Sequence, residues 1–346
     1  MKILRLILYP LVPVYAAVIA IRNWFFDKGI FKSKKVNAKV ISIGNITVGG
    51  SGKTPMVIYL AQLLKNSGRK VGVLSRGYGR KSSGYKLVSD GEKIFTSVKE
   101  SGDEIYHTVL DCKVPAAVCE NRVVGAERLI KDTGVDVILL DDGFQHRWIE
   151  RDFNIVLIEQ SFLLADDFSV HSLLPTGNMR EPFKSLKRAD TIVINRKFTE
   201  LKNIPEKRQK YFLDKKIFTA HYKAIGFVDI VKKDIYGLKE FERQKSLVVS
   251  GIANPYSFLN VLSRTDVDTS NKIIFKDHKD YTLKEVQQIR KKFYTTNSHS
   301  VVTTEKDAVK LMNFSREIDD IDIFYLKIKL VVDDEESFEK LILNKD

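Results

Sequence analysis

Short apolar runs recur along the first two-thirds of the chain, and stretches with helical spacing alternate with them. Ala38–Gly44 (AKVISIG), Lys70–Ser75, Val114–Cys119, Val135–Leu140 (VDVILL), Asn154–Glu159 and Thr191–Asn195 read as strands. They are nearly continuous apolar runs, the signature of strands covered on both faces. Pro55–Asn66 and Val123–Lys131 have the spacing of helices packed on a sheet. This rhythm predicts a doubly wound, mainly parallel α/β sheet. Beyond Lys215 the pattern restarts, with Ser246–Ser250, Lys272–Lys276, Ser300–Thr304 and Ile323–Lys329 as strands and Pro255–Leu262 as a helix. The expected organisation is an N-terminal segment over 1–36, a main domain over 37–215 and a smaller α/β lobe over 216–346.

The N-terminal segment breaks the pattern. Leu6 to Ile21 carries no charge, and Trp24, Phe25 and Phe26 follow it. The run falls short of the roughly 20 apolar residues of a spanning helix and contains Pro10 and Pro13. No small-residue cleavage site of a secretory signal follows. An amphipathic helix lying in a membrane interface fits better than a span or a buried core helix. Charge points the same way. The chain carries a net +13, and residues 1–40 hold eight Lys and Arg against the single acid Asp27. Such clustering selects an anionic surface, membrane or nucleic acid. Because the cations flank an apolar run and no nucleic-acid recognition motif is present, the membrane is the expected partner. Cys112 and Cys119 are expected to be reduced thiols, and no Cys/His cluster has metal-ligand spacing.

After the strand at Ala38–Gly44 comes a glycine-rich turn, Thr47-Val48-Gly49-Gly50-Ser51-Gly52-Lys53-Thr54, and a helix opening at Pro55. This strand–loop–helix context is that of a Walker A phosphate loop, although Thr47 stands where the first glycine usually is. Glycines let backbone N–H groups close on phosphate oxygens, and the helix N-terminus adds its positive dipole. Lys53 would reach the β- and γ-phosphates of ATP, and the Thr54 hydroxyl would bind Mg²⁺. The strand at Val135–Leu140 ends in Asp141-Asp142, which supplies the second acidic element of such a site. A turn or helix-cap role for Asp142 is the competing reading. The polar string Gly143-Phe144-Gln145-His146-Arg147 follows at a strand end, where open α/β sheets bind ligands.

Together, the string from Gly44 through the phosphate loop to Pro55 and Asp141-Asp142-Gly143-Phe144-Gln145-His146 closely resemble the tetraacyldisaccharide 4′-kinase (lipid A 4′-kinase) family. The resemblance takes in Ser75-Arg76-Gly77-Tyr78-Gly79-Arg80, Gly102-Asp103-Glu104, Leu174-Pro175-Thr176-Gly177, Arg180-Glu181-Pro182, Asp277-His278 and Thr304-Glu305-Lys306-Asp307-Ala308. It implies transfer of the γ-phosphate of ATP to the 4′-hydroxyl of a tetraacyldisaccharide 1-phosphate, in lipid A synthesis. The implied location is peripheral, at the cytoplasmic face of the inner membrane of a Gram-negative bacterium. It also implies two lobes joined by two strands, for which Phe218–Ile230 and Phe324–Val332 are the candidates.

By the same resemblance Asp103 is the base that accepts the hydroxyl proton, and His278 pairs with it. Ile105 stands where the family usually has proline after Gly-Asp-Glu. Gln145 and His146 are expected to contact phosphate or substrate. Arg180 and Glu181 are expected to arrange nucleotide and metal, with Glu181 joining Thr54, Asp141 and Asp142 as a metal ligand. Arg76 is expected to hold a phosphate, the reading of a solvated loop arginine standing beside it. The alternative function is a membrane-associated P-loop NTPase that hydrolyses nucleotide without a lipid acceptor. No obligate protein partner and no nucleic acid are expected.

Overall fold

The computed structural model describes residues 8–252, 255–276, 279 and 281–344. It divides into two compact units, 1–221 with 330–346, and 222–329. Eight strands build the first: β1 (Lys39–Gly44), β2 (Val71–Ser75), β3 (Lys86–Asp90), β4 (Pro115–Val118), β5 (Val137–Asp141), β6 (Phe153–Glu159), β7 (Thr191–Asn195) and the first half of β8 (Lys216–Asp229). Their order is β8-β7-β6-β1-β5-β2-β4-β3. All pairings are parallel except β3 against β4 at the edge. Chain order reverses beside β1, between β6 and β5, so the loop after β1 opens into a switch-point crevice. The central strands are buried almost end to end. Leu74, Ala126, Leu129, Ile138 and Leu140 fill one core layer, and Ile46, Phe144, Val156, Leu186 and Ile192 another. Cys112 and Cys119 are buried free thiols.

Four helices position the site. They are α1 (Leu11–Asp27), α2 (Lys53–Asn66), α3 (Asp103–Cys112) and α4 (Arg122–Thr133). Pro10 is the N-cap of α1 and Pro13 lies in its first turn, where backbone N–H groups have no helical partner, so neither breaks it. Unlike a surface helix, α1 is apolar on its exposed side as well as over most of its buried side. Val12, Tyr15, Ala16, Ile19, Arg22, Asn23, Phe25 and Phe26 are the partly or fully buried positions. Every exposed position from 11 to 24 is apolar: Leu11, Pro13, Val14, Ala17, Val18, Ala20, Ile21 and Trp24. Val14 and Val18 are 59% and 58% exposed. No helix among the described residues is long and apolar enough to cross a membrane.

The second unit runs from the latter half of β8 through β9 (Ile235–Tyr236), β10 (Lys245–Ser250), β11 (Asp268–Ile274), β12 (Ser300–Thr303) and most of β13 (Ile323–Val332). The order β11-β10-β12-β13 is parallel, and β9 lies antiparallel to β8. Asp307 is 1% exposed and accepts from Gly251 N, Thr304 Oγ1 and Tyr281 Oη. It braces this unit's core.

The expected lobe boundary at 216–346 requires correction. From Leu330 the chain rejoins the first unit, where helix Glu335–Leu343 packs. Burial dictates this. Phe338 is fully buried, its ring 5.0 Å from Phe218 and 6.0 Å from Tyr59 of α2, and the Tyr59 hydroxyl donates to Glu339. β8 and β13 are thus the two strands that run from one unit into the other.

Candidate active site

The loop after β1 turns through Gly49 and Gly52, and α2 begins at Lys53. Gly52 sits at φ 99°, a conformation other residues adopt at a cost, and this directs the first N–H groups of α2 into the loop. Polar side chains fix the loop from below. Asn45 Nδ2 donates to Ser51 Oγ at 3.0 Å, and Asn195 Nδ2, at the end of β7, donates to Ser51 O at 3.1 Å. Asn195 is therefore a brace for the phosphate loop. The entrance is tied to a second segment: Thr47 bridges Met179, Val48 N donates to Asn178 O, and Arg180 N donates to Ile46 O at 2.8 Å. Beside the loop a cavity of about 260 Å³ opens between Thr47, Val48, Gly49 and Ser51 on one side and Glu159, Phe162 and Asn178 on the other.

Lys53 Nζ lies 3.6 Å from Asp142 Oδ1. Arg180 Nη1 reaches both oxygens of Asp142, at 2.8 and 2.9 Å. Burial opposes ionisation of Asp142, but Lys53, Arg180 and Arg122 outweigh it and hold the carboxyl below its usual range. Asp142 itself sits at φ 51°, sparsely populated for a residue with a side chain and tolerated best by Asp and Asn. Its neighbour is the opposite case. Burial, with Glu104 and Asp142 nearby, pushes the Asp141 carboxyl up to about 6. Asp141 Oδ2 accepts from Ser75 Oγ at 3.1 Å, while buried Oδ1 has no protein partner. An unpartnered buried carboxylate oxygen suits a hard cation with oxygen ligands, as does the Thr54 hydroxyl in the first turn of α2. Thr54, Asp141 and Asp142 accordingly fit Mg²⁺.

Glu181 does not join them. It is fully buried, and its oxygens are taken by Arg22, Asn23 and Arg188. The metal role expected of it is thereby corrected: its Arg and Asn partners already satisfy the carboxylate. Gln145 Nε2 donates to Asn45 O at 2.8 Å, leaving buried Oε1 without a protein partner. His146 Nδ1 is likewise buried and unpartnered. Arg76 is exposed in the loop after β2.

Asp103 opens α3 behind Gly102, at φ 93°. A Cβ on Gly102 would stand 2.8 Å from Tyr78 O, so glycine lets the Arg76–Arg80 loop close on the start of α3. Asp277 and His278 lie outside the described residues. Two residues escaped the sequence reading. Arg122, at the start of α4, is 2% exposed and donates to Cys119 O, near enough to Asp141 and Asp142 for their charges to act on it. Glu104 acts on Asp141 in the same way. The only sequence signals were the cap Asn121 before Arg122, and the Gly-Asp-Glu string itself.

Burial, reinforced by Arg122, lowers the His146 pKa to about 4, so the ring is neutral at physiological pH. An unfolded chain with the ordinary value binds this proton more tightly. Stability from this group is therefore present above about 6.5 and lost as pH falls toward about 4. Urea midpoints at pH 5 and pH 7 should differ less in His146→Gln than in the wild type. Equal differences would show that His146 does not carry the effect.

A phosphate loop at the switch point, its lysine beside a strand-end acid pair, defines a P-loop nucleotide-binding protein. The comparisons specify which kind. The chain belongs to the tetraacyldisaccharide-1-P 4′-kinase family, whose profile matches residues 4–345. It is 36% identical to the tetraacyldisaccharide 4′-kinase of Halothermothrix orenii, over 93% of this chain and 86% of that protein. To the enzyme of Flavobacterium psychrophilum it is 35% identical, over 99% and 97% of the two chains. The crystal structure of LpxK from Aquifex aeolicus in complex with ATP superposes with a TM-score of 0.81 at 33% identity, covering 99% of each chain.

Proposed function

We propose that this protein transfers the γ-phosphate of ATP to the 4′-hydroxyl of a tetraacyldisaccharide 1-phosphate. The observation that carries the reading is the meeting of Lys53, Thr54, Asp141 and Asp142 at one switch point in a chain of this family. The phosphate-loop amides and Lys53 bind the phosphates and offset their charge. Mg²⁺, held by Thr54 and the Asp141–Asp142 pair, supplies further neutralisation of the phosphate oxygens. Asp103 accepts the proton as the sugar oxygen attacks phosphorus. Arg180 orients Asp142, and Arg76 and neutral His146 are the proposed contacts to phosphate or acceptor.

The acceptor's lipid character is supported by α1. Leu11, Val14, Tyr15, Val18, Leu174 and Pro175 line an open apolar groove of about 540 Å³. Tyr15, in that lining, also donates to Arg180 O, which puts the groove beside the catalytic loops. Acyl chains suit such a lining, and the exposed stripe of α1 with Lys28, Lys32, Lys34 and Lys35 after it suits an anionic membrane surface. The proposed location is peripheral, at the cytoplasmic face of the inner membrane, where ATP and the lipid meet.

The test is transfer of ³²P from γ-labelled ATP to purified tetraacyldisaccharide 1-phosphate in detergent micelles. Labelled lipid is the expected product. Release of free phosphate alone, unaffected by lipid, would instead establish an NTPase. In the same assay Val14→Asp with Val18→Asp should raise the apparent KM for micellar lipid at least tenfold. An unchanged KM would remove the stripe from lipid access.

A further inference from the structure

The buried side of α1 ends on the catalytic loops rather than on inert core. Tyr15 Oη donates to the carbonyl of Arg180 at 2.9 Å. Asn23 Nδ2 donates to Glu181 Oε2 at 3.1 Å, and Arg22 Nη2 reaches Glu181 Oε1 at 3.5 Å. The segment gripped this way is fixed on its other side to the phosphate loop, since Arg180 N and Glu181 N both donate to Ile46 O. From its middle the Arg180 guanidinium reaches Asp142. One residue pair thus receives α1, the entry to the phosphate loop and the strand-end acid. A second link runs from the C-terminal turn of α1: Arg147, just past Gln145-His146, donates to Asn23 O and pairs with Asp27.

We propose that Tyr15, Arg22 and Asn23 are positioning residues for phosphoryl transfer, acting through the Arg180–Glu181 segment to set Arg180 against Asp142. Arg22 and Asn23 act only through that segment, whereas Tyr15, whose side chain also lines the apolar groove, acts on it through its hydroxyl. The proposal rests on the kinase reading above and adds to it that the lipid-facing helix is part of the machinery that aligns the site. The physical ground is the burial of Glu181. A carboxylate with no exposed surface keeps its place only while its cationic and amide partners hold it. Removing Asn23 or Arg22 weakens that hold, leaving more of it to Arg188, and Arg180 shares the backbone of the segment. Small misplacements of charged groups around transferring phosphate are costly to rate.

The experiment measures kcat and KM for micellar lipid, and affinity for anionic vesicles, in Tyr15→Phe and Asn23→Ala. Tyr15→Phe keeps the ring that packs and removes one hydroxyl, so folding is preserved; melting temperatures check both variants. The expected result is a kcat lowered about tenfold in each, with lipid KM and vesicle affinity within twofold of wild type. In an Arg180→Ala background the Tyr15→Phe change should cost no further kcat, because its route to the site is gone. Unchanged kcat with weakened lipid KM or vesicle binding would make α1 an anchor only and overturn the proposal. Equal losses with and without Arg180 would overturn it too, by placing the effect elsewhere. Wild-type lipid phosphorylation, run alongside, separates the two levels: its absence refutes the kinase reading, whereas its presence with unaffected variants refutes the positioning role alone.

Discussion

Alanine at position 53 is expected to lower kcat for lipid phosphorylation about 10³-fold, a barrier increase of about 4 kcal/mol. Two effects add. The lysine opens α2 directly behind Gly52, so its ammonium and the helix dipole act on the same phosphates, and both charge and dipole are worth most where water is excluded. The second effect is on Asp142. Lys53 lies 3.6 Å from it and is the largest of the cationic influences that keep it ionised against burial. Without the lysine, Asp142 relies on Arg180 and Arg122, and its carboxyl rises toward the range where a proton competes with metal. The variant should therefore lose rate and also require more Mg²⁺ at pH 6 than at pH 8. A kcat within tenfold of wild type at saturating ATP and lipid would remove Lys53 from the transition state.

The Asp142→Asn substitution is expected to lower kcat by about 10²- to 10³-fold and to raise the half-saturating Mg²⁺ concentration at least tenfold. The choice of substitute matters. Asp142 sits at φ 51°, where asparagine is as well tolerated as aspartate, whereas alanine would add backbone strain of about 1–2 kcal/mol. The asparagine variant therefore keeps the turn and tests charge alone. An amide there faces Arg180 and Lys53 without a negative charge to hold them, so both cations lose their bearing. A melting temperature near wild type with the Mg²⁺ requirement unchanged would assign the metal to Asp141, whose Oδ1 lacks a protein partner.

The parts of this molecule legible in the sequence are those whose signals are local. β1, β5, β6 and β7 could be read because strands covered on both faces need unbroken apolar runs, and Thr191–Asn195 matches its strand end to end. The phosphate loop could be read because glycines at fixed spacing before a helix have few other uses. β3 went unread: Lys86, Ser89 and Asp90 suit an antiparallel edge and carry no apolar run. The role of Glu181 could not be read either. Its partners Arg22 and Asn23 lie 159 and 158 residues away in sequence, and no spacing rule connects them. The same holds for Arg122, whose importance comes from where α4 places it, and for α1, whose composition announces an apolar helix but not which side is polar. Charge pairs across the fold are decided by topology, which periodicity does not encode.

The return of the chain at Leu330 orders events during synthesis. Tyr59 of α2 and Phe218 at the start of β8 are covered by Phe338, which leaves the ribosome long after either. Domains generally fold as units while the chain emerges. Here the nucleotide-binding unit is nearly all translated by His221, yet one patch of its core stays wet until Glu335–Leu343 is made. The intervening residues 222–329 form their own core around Leu247, Val301 and Ile323 in the interval. A ribosome that stalls anywhere in that interval presents a catalytic unit whose Tyr59 and Phe218 rings still lack their Phe338 cover.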